Sequence, residues 1–314
     1  FALAVALGCD LFDSAAYAIY AREDRYMTEH GTVKFSRLQR FPCPCPVCAK
    51  NDPRDVGSMP RVERQRIIAQ HNLHVSFSEI RRIKQAITEG RLWEHLEARA
   101  HGHPALLQAL KHLKKYSEYL EEQSPVTKRS GLFFFTSLGL IRPEVVRHRK
   151  RLFERYAPPE EAEVLLLLPQ TQTKPFHKSR EHRRALKEIQ RKLGDGVRKV
   201  HACTYAAPFG VVPLELDEVY PLSQYEIAIP LDAETREYTA NQVASYIRAM
   251  SYKKAVMLQD AEAWRGKVAR ACKEACDGKK IPLIVVQAGK PWSKGALTQL
   301  ATALQEALAQ EKTG

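Results

Sequence analysis

Apolar and polar positions along the chain follow two regimes. In the first half apolar residues recur mostly at helical spacing, whereas in the second half short uninterrupted apolar runs alternate with amphipathic stretches. Residues 1–8 predict the end of a helix stopped by Gly8, and Cys9-Asp10-Leu11-Phe12 then reads as a short buried strand ending at Asp13. A basic connector follows over 22–40, with Tyr26 and Phe35 set among charges. A helical tract over 61–122 carries Leu92, Trp93, Leu96, Leu106, Leu107 and Leu110 at helical spacing. It is expected to break near Val75-Ser76, with Ser78 as a new N-cap, and again at His103-Pro104. Phe133-Phe134-Phe135 is a strand candidate, and Arg142-Pro143-Glu144 opens a helix. Ala157-Pro158-Pro159 reads as a linker and sets the expected domain division at 157–160.

Beyond the linker, strands are predicted at 164–168, 200–205, 255–258 and 283–286, separated by helices at 180–193, 240–250, 262–275 and 294–309. Continuous apolar strands with intervening helices imply a parallel sheet covered on both faces. Gly194-Asp195-Gly196 fits neither a dinucleotide fingerprint nor a P-loop. No apolar run reaches membrane-spanning length, and residues 1–8 are too short and lack the basic leader of a signal peptide. The chain opens without methionine inside a helical pattern, so residue 1 is expected to be an internal cut in a longer polypeptide or the start of a processed piece.

Composition adds charge to this picture. At 314 residues the chain can hold two cores, and 49 Lys and Arg against 36 Asp and Glu leave a formal +13, which favours a polyanionic partner such as nucleic acid. Arg147, His148, Arg149, Lys150 and Arg151 on one predicted helix are candidates to grip phosphates, or else a solvated helix face. Of the seven cysteines, Cys9, Cys203, Cys272 and Cys276 form no regular framework, which fits a reducing cytoplasm. The other three fall in Pro42-Cys43-Pro44-Cys45-Pro46-Val47-Cys48, and 22 residues later comes His71 on a predicted helix. Three thiolates and an imidazole make the donor set of a closed tetrahedral zinc site, and the flanking prolines stiffen the loop that presents them. His74 competes with His71 for the fourth position. Asp13 is the leading catalytic candidate as a carboxylate at the end of a predicted strand, with an N-cap to Ser14-Ala15-Ala16 as its alternative role.

The stretch Gly8-Cys9-Asp10-Leu11-Phe12-Asp13-Ser14-Ala15-Ala16-Tyr17, followed by Arg25-Tyr26-Met27-Thr28 and the cysteine loop, resembles the archaeal tRNA-guanine transglycosylase family. The likeness continues through Pro143-Glu144-Val145-Val146-Arg147-His148-Arg149, Ala207-Pro208-Phe209-Gly210-Val211-Val212-Pro213 and Tyr220-Pro221-Leu222-Ser223-Gln224-Tyr225-Glu226. It implies an α/β fold: residues 1–157 as the C-terminal part of a TIM-type (β/α)8 barrel with an inserted zinc-binding subdomain, and 160–314 as an accessory α/β domain with a mostly parallel sheet. It also implies Asp13 as nucleophile, and Cys43, Cys45, Cys48 and His71 as ligands of a structural Zn2+. The reaction implied replaces guanine at position 15 of the tRNA D-arm by 7-cyano-7-deazaguanine (preQ0) through a covalent ribosyl ester, with Arg147, Arg149, Lys150 and Arg151 as candidate tRNA contacts. The family's barrel begins before this point and its base-recognition residues lie there. A split enzyme or a cut fragment is therefore expected, with an N-terminal barrel half as partner and a homodimer as the usual assembly. The family's C-terminal RNA-binding PUA domain is not apparent, since 292–314 reads as one helix and a tail.

A related motif complicates the second half. Pro169, Lys174-Pro175-Phe176, Ser179 and His182 are spaced as in archaeosine synthase, although Gln170 and Phe176 stand where that motif has cysteine and tyrosine. A synthase-like paralogue acting on preQ0-tRNA and a noncatalytic tRNA-docking subunit are the two other readings.

Overall fold

The structure is a computed structural model that describes residues 1–13 and 15–309. Ser14 and the tail at 310–314 lie outside the described residues. The chain forms two compact units, one of residues 1–116 with 128–130 and one of residues 117–127 with 131–314.

The first unit is mainly helical. Helix α1 (Ala2–Ala6) ends where Gly8, at φ +94°, turns the chain, with Gly8 N–H bonded to Val5 O at 3.0 Å and Cys9 N–H to Ala4 O at 2.9 Å. This paired closure is a Schellman stop, so Gly8 acts as expected. The strand expected at 9–12 is not formed. A buried strand needs neighbours for its N–H and C=O groups, none of the described strands pairs with this segment, and Leu11 is 89% exposed. After α2 (Ala16–Arg22), strands β1 (Arg25–Thr28) and β2 (Gly31–Lys34) form an antiparallel hairpin. Then come α3 (Pro53–Ser58), α4 (Arg61–Thr88), α5 (Leu92–Ala100) and α6 (Pro104–His112). Helix α4 runs unbroken through Val75-Ser76, where the Ser76 hydroxyl bonds back to Asn72 O at 3.0 Å, and Ser78 lies within the helix instead of capping a new one. The tract stops at Gly90, and α6 begins as expected at Pro104, with His103 Nδ1 accepting from Ala105 N–H. No strand of this unit pairs in parallel among the described residues.

The second unit holds the open sheet. Helix α7 (Ser117–Glu122), strand β3 (Leu132–Phe134) and helix α8 (Pro143–Glu154) precede β4 (Val164–Pro169), α9 (Arg180–Leu193), β5 (Val200–Ala206), β6 (Gly210–Pro213) and β7 (Tyr225–Ile227). Next are α10 (Ala233–Ala249), β8 (Lys254–Gln259), α11 (Ala261–Trp264), α12 (Lys267–Lys279), β9 (Leu283–Gln287) and α13 (Lys294–Ala309). The sheet order is β6-β5-β4-β8-β9, parallel except for the β5–β6 edge, and β3 pairs in parallel with β7 as a separate ribbon. Along β4 the pleat sends Leu165 and Leu167 into the core with α10 and α12, and Val164, Leu166 and Leu168 into the core with α9 and α13. This two-sided burial explains the uninterrupted apolar run.

The division at 157–160 expected from the sequence falls inside this unit. Leu152 of α8 is buried with the β4 and β5 side chains, and Val145 with Leu132, Phe134 and Phe209, so α8 needs the second core. Ala157-Pro158-Pro159 is the loop from α8 into the sheet. Gly210, at φ +83°, opens β6 where a Cβ would sit 2.5 Å from Gln242 Cβ. Gly210→Ala should therefore lower unfolding stability by about 2 kcal/mol or more, read from the urea midpoint, and an unchanged midpoint would contradict this close packing.

Candidate metal centre

Between β2 and α3 the chain carries three cysteines in a proline-stiffened loop, which closes on itself with Ala49 N–H bonded to Cys45 O at 3.0 Å and a short 3-10 turn at Cys48–Lys50. Helix α4 brings His71 against this loop. The ligand atoms of Cys43, Cys45, Cys48 and His71 lie within 4.8 Å of one another. His71 Nδ1 is 3.5 Å from Cys45 Sγ and 3.3 Å from Cys48 Sγ. With Zn–S about 2.3 Å and Zn–N about 2.0 Å, a tetrahedron has an S to N edge of roughly 3.5 Å, so the spacing suits such an ion. Of the two histidines the sequence leaves open, His71 is buried at 1% exposure whereas His74 is exposed.

The surrounding groups orient His71. Its Nε2 lies 2.8 Å from Met27 O and donates to it, which fixes the tautomer that leaves Nδ1 free for a metal. Burial lowers the His71 pKa, favouring the neutral ring that ligation requires, although the Met27 carbonyl opposes the shift. The Tyr26 ring stacks on the imidazole at 3.6 Å between centroids and its hydroxyl lies 3.3 Å from Cys48 Sγ. Burial raises the Cys48 thiol to about 12 through the protein's own groups, with Cys45 and Cys43 adding to the rise and Tyr26 opposing it. A cation between the sulfurs would supply the charge that makes thiolates favourable there.

Asn72, wholly buried, supports the same scaffold. Its Oδ1 accepts from Met27 N–H at 2.8 Å, and its Nδ2 donates to Tyr17 O and Arg25 O, each at 3.1 Å, tying α2 and β1 to α4. Neither Tyr26 nor Asn72 was picked out as part of the site by the sequence. The available signal was a polar Asn72 at a buried helical position beside a candidate ligand. A cleft of about 730 Å³ opens beside the centre, lined by Met27, Cys43, Cys45, His74, Arg82 and Arg99 among others. Glu79 crosses it to Arg99 at 2.7 Å and to His95 at 3.0 Å, and although burial pushes its carboxyl upward, these partners hold it below the usual range.

The other candidate residues lie apart from this cluster. Asp13 is exposed on the loop before α2, and its Oδ1 accepts from Ala15 N–H at 2.9 Å. Arg147 does not face solvent phosphate. It is 7% exposed and its donors go to Glu121 Oε1 at 2.6 Å and to the carbonyls of Ser124 and Pro125 at 2.8 and 2.7 Å, because the turn after α7 leaves those oxygens to be satisfied. Lys150 reaches Glu121 at 3.4 Å, Arg149 bonds Tyr238, and Arg151 stays exposed. His148, half-buried against Val211 O, is lowered to about 4 by desolvation and carries no charge near neutral pH.

In the Lys174 to His182 segment, the Lys174 ammonium sits 4.4 Å over the Tyr225 ring, and burial lowers its pKa against the opposing pull of Glu226. His182 is fully buried. The Ser179 hydroxyl donates to its Nδ1 at 3.0 Å and its Nε2 donates to Thr204 Oγ1 at 3.1 Å. Burial, assisted by His177, lowers its pKa to about 4, whereas an unfolded histidine titrates near 6.5. The contribution is therefore complete above pH 6.5 and is lost as pH falls toward 4, because the unfolded chain takes up the proton first. The loss reaches about 3 kcal/mol at pH 4. Replacing His182 by Gln should flatten this part of the stability curve, measured by urea unfolding at each pH, and parallel curves would refute the assignment.

Comparison with known proteins gives matches to both halves. Residues 1–105 match the family described as Queuine tRNA-ribosyltransferase, and residues 145–304 match a Domain of unknown function (DUF5591). The tRNA-guanine(15) transglycosylase of Methanocaldococcus jannaschii is 45% identical over 239 residues, 74% of this chain and 34% of that protein. That of Methanobrevibacter smithii is 41% identical over 257 residues, 79% of this chain and 37% of that protein. The chain thus spans about a third of the length of the curated relatives it matches. A crystal structure of AF0587, a protein of unknown function, aligns with TM-score 0.37 and 20% identity over 53% of this chain and 50% of that one.

Proposed function

We propose, for a chain that belongs to the archaeal tRNA-guanine transglycosylase family and carries a DUF5591 domain in its second half, that it is the C-terminal portion of an enzyme replacing guanine 15 of tRNA by preQ0. The observation that carries this reading is the 45% identity to the M. jannaschii transglycosylase, which extends across both units. In the reaction Asp13 attacks C1′ of the nucleotide, the glycosidic bond breaks, and guanine leaves with the bonding electrons and a proton. A ring nitrogen of preQ0 then attacks C1′, loses its proton, and displaces the Asp13 carboxylate. Two inversions give net retention.

The exposure of Asp13 supports one further element of the reading. A hydrated carboxylate on an open loop is a poor nucleophile, so it needs a segment that closes over it, excludes water and holds the base. That segment is the N-terminal part of a (β/α)8 barrel with the base-recognition residues, on another chain or in the same polypeptide. Zn2+ at Cys43, Cys45, Cys48 and His71 is structural, since four protein donors leave no open position for substrate. When bound it neutralises the thiolates and crosslinks the loop to α4. No helix among the described residues is long and apolar enough to cross a membrane, and the proposed setting is the cytoplasm, where the protein meets tRNA, as a homodimer in the family's manner.

The test is exchange of labelled guanine into tRNA by this chain alone and with a candidate N-terminal barrel partner. Exchange only in the combination supports the reading. No exchange in any combination moves the assignment to a tRNA-docking subunit. A lysine-dependent, synthase-like reading has one observation in its favour, the lowered pKa of Lys174. Modification of preQ0-tRNA that disappears in Lys174→Arg would select it.

A further inference from the structure

The positive surplus of the chain is concentrated away from the helix that first suggested phosphate contacts. Nine Lys and Arg against three acids lie between 178 and 199, in the segment that forms α9 and its flanks. We propose that the exposed face of α9, with the adjoining surface of α13, is a docking surface for the sugar-phosphate backbone of RNA. That the RNA is tRNA rests on the function proposed above.

Geometry carries the argument. At 100° per residue, Arg180, Arg183, Arg184, Lys187 and Arg191 fall on one stripe, opposite the buried His182, Ala185 and Ile189. The stripe runs about 16 Å along the helix. Arg180, Arg184 and Lys187 are exposed and form no ion pair among the described residues, while Arg191 has Glu188 at 2.6 Å. Like charges one turn apart repel, which disfavours the helix until a polyanion neutralises them. Beside it, α13 presents exposed Thr298, Gln299 and Gln305, with Lys294 at its start and Glu306 as its one acid, so hydrogen-bonding groups suited to phosphate and sugar adjoin the cations. A lipid surface fits less well. The apolar side of α9 is already packed with Leu300 and Leu304 of α13, which leaves nothing to insert into a bilayer.

The experiment is a salt series of tRNA binding by the full chain and by the triple variant Arg180→Gln, Arg184→Gln, Lys187→Gln, with Arg149→Gln, Arg151→Gln as the α8 comparison. Helical content by circular dichroism and the melting midpoint should equal or slightly exceed wild type, because the three side chains are exposed and unpaired and their mutual repulsion is removed. The triple variant should bind tRNA about tenfold or more weakly at 0.1 M salt, with a slope of log K against log salt shallower by about 2. Unchanged affinity and slope would overturn the proposal, as would a loss confined to the α8 variant, an absence of tRNA binding by wild type, or a triple variant impaired only on phosphatidylserine vesicles. Guanine exchange measured in parallel separates the two readings. If exchange is absent everywhere while the triple variant still loses tRNA affinity, the transglycosylase assignment fails and the docking surface stands. Intact exchange with unaltered binding gives the reverse.

Discussion

Cys48→Ser should leave the protein without its metal and with its first unit largely unfolded. The wild-type chain is expected to hold one zinc per molecule, measured by elemental analysis after exhaustive dialysis. Cys48 is the buried thiol of the four-ligand cluster, and its sulfur meets His71 and Tyr26 at once. The local apolar core of Ala21, Phe35, Val56 and Ile68 is small, so the loop, β1 and α4 depend on the crosslink more than a large core would. Structural zinc contributes about 10–16 kcal/mol of apparent binding energy in small domains, and losing one ligand should cost at least about 3 kcal/mol here. Chelation of the wild type should give the same partial unfolding transition while the second unit, with its own sheet, still melts separately. A metal-free Cys48→Ser protein with an unaltered melting profile would show that the cluster holds no structural ion.

Asp13→Asn should abolish base exchange, by about 10⁴-fold or more, without weakening tRNA binding more than about twofold. The choice of asparagine separates two roles of this side chain. Its amide oxygen can still accept the Ala15 N–H that Asp13 Oδ1 accepts at 2.9 Å, so the turn into α2 is kept. An amide, however, cannot form the ribosyl ester. Rates are to be compared with the barrel partner present, by single-turnover exchange of labelled guanine. Exchange persisting in Asp13→Asn would reduce Asp13 to a cap and remove the nucleophile assignment. If both exchange and tRNA binding vanish, the variant has lost its fold, and circular dichroism would reveal it.

The donor set of the candidate metal centre was legible because most of its spacing is a local property. Proline and cysteine in alternation fix a loop, and only the choice between His71 and His74 needed α4, whose rotation buries one and exposes the other. The strands β4, β5, β8 and β9 were legible for a related reason: a strand of a sheet covered on both faces is apolar along most of its length. The short β6 and β7 were not, since three or four residues at an edge carry no period of their own.

Elsewhere the sequence named the residues but not their partners. Arg147 read as a phosphate contact or part of a solvated helix face until the turn after α7 supplied acceptors for its donors, and His182 was only one member of a spaced motif until α9 settled on β5 and placed Thr204 against it. Cys9-Asp10-Leu11-Phe12 has the composition of a strand, yet a strand exists only through its neighbours. The sequence by itself determined the periodicity of the second sheet, the thiol and imidazole donor set and the size of the positive surplus, because each is written in residue type and spacing. Tertiary structure decided which charges are neutralised within the fold and which remain on the α9 face, and that the domain division precedes α8. Burial and pairing depend on residues far apart in the chain, and no local pattern encodes them.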